Sequence, residues 1–121
     1  FKVANIIHKH NLGDPSVGWA ESAQMLLQNN AKICARHFSK PLGVIEKGAL
    51  ADIIVVDYDA PTPIMESNTS SHILFGMTGR SVRSTMVDGR FVMKDRELLT
   101  ADEKQVFSEA RERAAKFWER A

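Results

Sequence analysis

The chain has little of what would announce a special chemistry. It carries one cysteine, Cys34, which excludes an internal disulfide and a cysteine-based zinc site. It has no surplus of charge: 16 Lys and Arg oppose 15 Asp and Glu, a net +1. That balance leaves no electrostatic case for nucleic acid or for an acidic membrane surface. No apolar run approaches the roughly 18 residues of a membrane span, and no signal peptide is visible. A nucleophile elbow of the G-x-S-x-G type is missing, as is a phosphate-binding glycine loop. These absences lead us to expect a cytoplasmic protein, with the reservation that the chain opens on Phe1 and not on Met. What remains is ordinary for a globular domain, with 44% hydrophobic and 26% charged residues.

The first forty residues read as helical. Apolar residues at 1, 3, 4, 6 and 7 predict a helix to about Asn11, interrupted by Gly13, Asp14 and Pro15. Trp19, Ala23, Leu26 and Leu27 predict a second helix over 18–29. Asn29 and Asn30 fit a helix end followed by a new N-cap, and a third helix covers 31–38 before Pro41. On that helix Ile33, Cys34, His37 and Phe38 share a face, which makes Cys34 a small buried hydrophobe and His37 a partly buried one.

After Pro41 the character changes to strand and turn. Gly43 and Gly48 bracket a polar segment, since glycine accepts backbone angles closed to other residues. Ala51 and Asp52 then lead into Ile53, Ile54, Val55 and Val56, a β-branched run that predicts a strand over 52–58 buried on both faces. His72 follows a polar cluster and opens a short helix or turn, where a local hydrogen bond is its expected role. Asp88 and Gly89 separate 82–87 from 90–93, the strongest short-range hairpin signal. Thr100 and Glu103 have capping-box spacing and open a last helix with a stripe of Phe107, Ala110, Ala114, Phe117 and Trp118. Asp102 and Glu103 complement its dipole, and Asp52 and Asp57 are expected to accept backbone hydrogen bonds at the strand ends. Trp19 and Trp118 read as packing residues.

Three motifs in order carry a resemblance. The pattern G-x-I-x-x-G-x-x-A-D before a strand ending in Asp57 resembles the C-terminal segment of the amidohydrolase superfamily. Asn29, Asn30 and Ala31 resemble that family's Thr-x-Asn-Gly-Ala, and Val87 to Val92 its closing V-x-G-x-x-V hairpin. Within the family the resemblance is nearest to aminohydrolases of the SsnA type, in the chlorohydrolase and aminohydrolase branch.

The resemblance implies an α+β fold in two parts. Residues 1–40 would be helices from the end of a metal-bearing (β/α)8 barrel, and 41–121 part of a small β-sandwich (composite) domain with a terminal helix. It implies a metal-dependent hydrolase acting on a C–N or C–Cl bond of a small heterocyclic substrate, using zinc or iron to activate water. The family's ligands are an H-x-H pair, two further histidines and an aspartate, all expected upstream of Phe1. No catalytic, cofactor-binding or metal-binding residue is therefore assigned in this chain, and the piece alone is expected to be inert. His8 and His10 form a formal H-x-H, but in a helix residues i and i+2 lie about 200° apart, so a surface or capping role is preferred to a metal site. Contact with substrate is a third reading for this pair. An isologous homodimer through Ile6, Trp19, Leu26, Ile33 and one strand edge is expected, because helix faces and strand edges would otherwise be bare. The competing reading is a free-standing α+β interaction module without catalysis.

Overall fold

A computed structural model describes residues 1–120. The chain is a mixed structure of helices followed by a small antiparallel sheet, and its order matches the reading above while several boundaries move. Helix α1 (Lys2–Leu12) ends at Gly13, whose left-handed φ of 62° lets its amide turn back onto the carbonyls of Lys9 and His10. Helix α2 (Trp19–Gln24) runs into a π-helical turn (Met25–Asn29) and then directly into α3 (Asn30–Cys34).

The predicted break at Asn29 and Asn30 does not occur. Both residues have right-handed helical angles, and the Asn30 amide donates to the Met25 carbonyl five residues back. An extra residue is absorbed by a wider turn, so neither asparagine serves as a cap.

Residues 41–50 close a loop through the Leu50 amide, which donates to the Pro41 carbonyl at 2.8 Å. Gly43 and Gly48 take φ of 80° and 95°, as the turn reading required. Strand β1 (Ile53–Val56) pairs antiparallel with β2 (Val82–Val87), placing Ile53 opposite Met86 and Val55 opposite Ser84. Strand β3 (Arg90–Lys94) returns beside β2 through Asp88 and Gly89, with φ of 47° and 77°, the positive pair a type I′ turn demands. A fourth strand, β4 (Glu97–Leu98), completes the order β1-β2-β3-β4. Its turn carries Asp95 and Arg96 at φ of 49° and 68°, with no glycine to signal it. Helix α4 (Thr69–Ser71) and a second π-helical turn (His72–Gly76) lie between β1 and β2.

Two further expectations are corrected. Strand β1 is not buried on both faces; Ile53, Ile54 and Val55 are exposed, because this chain provides nothing to cover them. The last helix, α5 (Glu103–Trp118), is capped by Asp102 and not by Thr100. The Asp102 carboxylate accepts from the Gln105 amide at 3.0 Å, so the first turn begins two residues later than the Thr100 and Glu103 spacing suggested.

The core is unusual in kind. Among the described residues the one buried large hydrophobe is Leu74, at 2% exposure, while Asn5, Ser22, His72 and Ser84 are buried polar residues. The helical layer and the sheet instead flank an open apolar groove of about 590 Å³, lined by Leu26, Leu27, Ile54, Val56, Ile73 and Val82.

Candidate functional site

Polar side chains converge at two places. The first joins the end of β1 to the second π-helical turn. His72 is 8% exposed, and both ring nitrogens are engaged: Tyr58 Oη lies 3.0 Å from Nδ1 and Thr62 Oγ1 lies 3.3 Å from Nε2. The Tyr58 and His72 rings meet edge-on at 5.7 Å. Gly76 makes this approach possible, for a Cβ there would stand 2.1 Å from Tyr58 Oη. The intervening loop is tied down by Asn68, whose Oδ1 accepts from the Met65 amide at 2.8 Å and whose Nδ2 donates to the Pro63 carbonyl at 2.9 Å. A cleft of about 390 Å³ opens beside this cluster. The hydrogen-bonding role expected of His72 is thus present, although its partners lie 14 and 10 residues away instead of within its own turn. With each ring nitrogen held by a protein hydroxyl, His72 fixes a loop and offers no free base.

The second place is the connection between α1 and α2. Asn5 is fully buried and its Nδ2 donates to the Gly18 carbonyl at 2.8 Å, while its Oδ1 has no partner. Gly18, at φ 82°, has no room to spare, since a Cβ would stand 3.4 Å from Asn5 Nδ2. Lys9 Nζ and Trp19 Nε1 both donate to the Pro15 carbonyl, and Lys9 Nζ stands 4.4 Å from the Trp19 ring centre. Asp14 Oδ1 accepts from both the hydroxyl and the amide of Ser16, bonds that hold its carboxyl below the ordinary value of 3.8. Trp19 reaches across to Phe75, ring centres 5.4 Å apart, and links the two polar centres.

The remaining candidates stay apart. His8 and His10 stand exposed on α1, and among the described residues no group of three or more His, Cys, Asp or Glu could hold a metal. The donor set of these residues does not fit a zinc or iron site. His37 is exposed instead of partly buried, and Cys34 is half-buried, because the face they share with Ile33 and Phe38 meets nothing in this chain. Trp118 is 71% exposed and packs only edge-on against Phe117. Asp52 accepts from the Asp88 amide at 2.7 Å, as expected. Asp57 does not accept a backbone amide; it pairs with Arg96 Nη2 at 3.1 Å. The β3–β4 turn brings that guanidinium within reach, and no sequence signal announced it. Asn5, Ser22, Tyr58 and Ser84 were not legible as buried polar positions either, since their partners are remote in sequence.

In fold, the chain is similar to a zinc-bound adenosine deaminase from Xanthomonas campestris, with a TM-score of 0.74, 22% identity, and coverage of 95% of this chain and 26% of that one. A helical segment closed by an antiparallel sheet thus belongs to a deaminase-type fold. In sequence it is similar to a 5-methylthioadenosine/S-adenosylhomocysteine deaminase of Thermococcus onnurineus, 39% identical over 80% of this chain and 22% of that protein. It is also similar to a 5′-deoxyadenosine deaminase of Methanocaldococcus jannaschii, 35% identical over 92% of this chain and 26% of that protein. The amidohydrolase family model matches residues 1–92, and the chain belongs to that family. It spans about a quarter of the length of these curated relatives.

Proposed function

We propose that these residues are the C-terminal part of a metal-dependent aminohydrolase that removes an amino group from a heterocycle of the adenine-nucleoside class. The observation that carries this is the similarity to two kinds of adenine-nucleoside deaminase along most of the chain. In such a hydrolysis water adds to the ring carbon bearing the amino group, and ammonia leaves. On this reading residues 1–40 close a barrel, residues 41–121 belong to the composite β-sandwich, and the zinc or iron is held by residues outside these 121. The chain's own contribution is mechanical. The Asn5 and His72 clusters fix the shapes of two loops, and the bare apolar faces seat the rest of the enzyme. A cytoplasmic, homodimeric enzyme is part of the same proposal, and this chain alone is inactive.

The test is a screen of the full-length protein, loaded with zinc or iron, against adenosine, 5′-deoxyadenosine and methylthioadenosine alongside amino- and chloro-triazines. Ammonia release from an adenine nucleoside is the expected result. Chloride release from a chlorotriazine, with adenine nucleosides left intact, would replace deamination by dechlorination. The isolated chain, dialysed after exposure to zinc, should retain far less than one equivalent.

A further inference from the structure

Helix α5 differs from the rest of the chain in one respect: each of its sixteen residues, 103–118, is exposed. It lies beyond the 1–92 span of the family match. Its wet side is internally satisfied, with Lys116 on Glu112 at 2.6 Å, Arg113 near Glu109 at 3.6 Å, and Gln105 donating to Glu109 at 3.0 Å. Its dry side has no partner in this chain. Val106, Phe107, Phe117 and Trp118 are all exposed.

The order of residues along that stripe is a palindrome. Counted from Glu112, Ala110 and Ala114 stand two positions out on either side. Phe107 and Phe117 stand five out, and Val106 and Trp118 six out. Small residues occupy the middle and large apolar ones both ends. We infer that α5 pairs with α5 of a second copy of this chain, antiparallel, about a two-fold axis at Glu112. In that register Ala110 faces Ala114 of the second copy, Phe107 faces Phe117, and Val106 faces Trp118. The two central alanine layers let the axes approach to about 8 Å, the near limit for packed helices. Antiparallel is the sense the chain favours. The bulk of the protein joins α5 only at Asp102, and the helix is about 24 Å long. Opposed helices put the two bodies at opposite ends, whereas parallel ones would crowd them together. Opposed helix dipoles also attract. An isologous contact needs self-complementarity, and the palindrome supplies it.

The seam has two further signatures. A single two-helix contact falls short of the roughly 1,000 Å² of a specific interface, so the pair should form only near about 100 µM chain. Arg111 and Arg113 flank the axis and meet their own copies there, so added salt should tighten the pair, opposite to an ion-paired interface.

The register is tested by cross-linking the 121-residue chain with Cys34→Ser as background. Ala110→Cys and Ala114→Cys chains are oxidised with glutathione disulfide separately and mixed. The expected result is a mixed dimer at about tenfold the yield of either single variant, since a disulfide needs Cα atoms within about 7 Å. The emission of Trp118 should also shift to the blue with concentration, and Ala114→Glu should remove the shift while circular dichroism shows the helix intact. Equal cross-linking of Ala110→Cys with itself would mean a parallel pair and overturn the proposal, as would a chain that stays monomeric at 300 µM, about three times the expected midpoint. In the full-length protein, Trp118 protected without self-association would assign the stripe to the remainder of the polypeptide and overturn it equally. Each result is independent of whether adenine nucleosides are substrates.

Discussion

The β2–β3 hairpin and α5 are near neighbours in sequence and are stabilised in opposite ways. In the hairpin, Ser84 is buried, its Oγ accepts from the Asp95 amide at 3.1 Å, and its strand is bonded on both sides. Arg83 reaches Asp95 at 2.6 Å and Arg96 reaches Asp57, so even the rim is cross-tied. Helix α5 has only its own cap and its own i,i+4 pairs. The difference separates what this chain holds by itself from what it presents. Twenty-five large hydrophobic residues are exposed and one is buried, so hydrophobic burial is reserved for surfaces outside the chain. The internal shape rests on polar bonds between remote residues.

Substitutions can break that comparison. The largest effect is expected at Gly76→Ala, whose Cβ would stand 2.1 Å from Tyr58 Oη and 2.7 Å from its Cζ. The ring must move and the bond to His72 goes with it, a cost of about 2–4 kcal/mol in urea unfolding. Tyr58→Phe keeps the ring and removes only the hydroxyl, leaving His72 Nδ1 without its partner. About 1–2 kcal/mol should be lost in the same measurement.

Asp102→Ala should cost about 1 kcal/mol, read as faster exchange of the Gln105 amide, with the sheet amides unaffected. Thr100→Ala should change that exchange by less than about 0.3 kcal/mol, because Thr100 lies outside the cap. Phe107→Ser should leave the unfolding of the sheet within about 0.5 kcal/mol of the parent, since the side chain is exposed. A larger loss would mean that α5 packs on the body. The smallest effect is a pH effect. Asp14's folded carboxyl titrates below its unfolded value, so the turn it stabilises is fully present above 3.8 and loosens as pH falls through the depressed value. The Ser16 amide resonance should therefore shift with a midpoint under 3.8.

The sequence disclosed elements according to how local their causes are. The Asp88–Gly89 turn, the glycines at 43 and 48, and the stripe of α5 depend on residues within a few positions, and each is where periodicity and turn chemistry placed it. The β3–β4 turn was hidden because Asp95 and Arg96 are held in positive φ by bonds from Ser84 and Asp57, far away in sequence. The N-cap of α5 was misplaced because two cap patterns overlap, and only the backbone angles at Asp102 decide between them. Of the two polar clusters, His72 was visible as a turn residue, but Tyr58, Thr62 and Asn5 owe their roles to tertiary approach. Burial was overestimated for β1, Cys34 and Trp118 because an apolar pattern reports which face seeks cover without reporting who covers it.

The two π-helical turns carry a consequence for how this segment can vary. Each stores one residue more than an α-helical turn would use. Deleting one residue from 25–29 would restore ordinary winding and swing everything after it by about 100°. Ile33 and Cys34 would then leave the face they now occupy, although no side chain had been replaced. In this stretch a change of length is a graver event than a change of letter, and homologous chains should tolerate substitutions here far more readily than gaps.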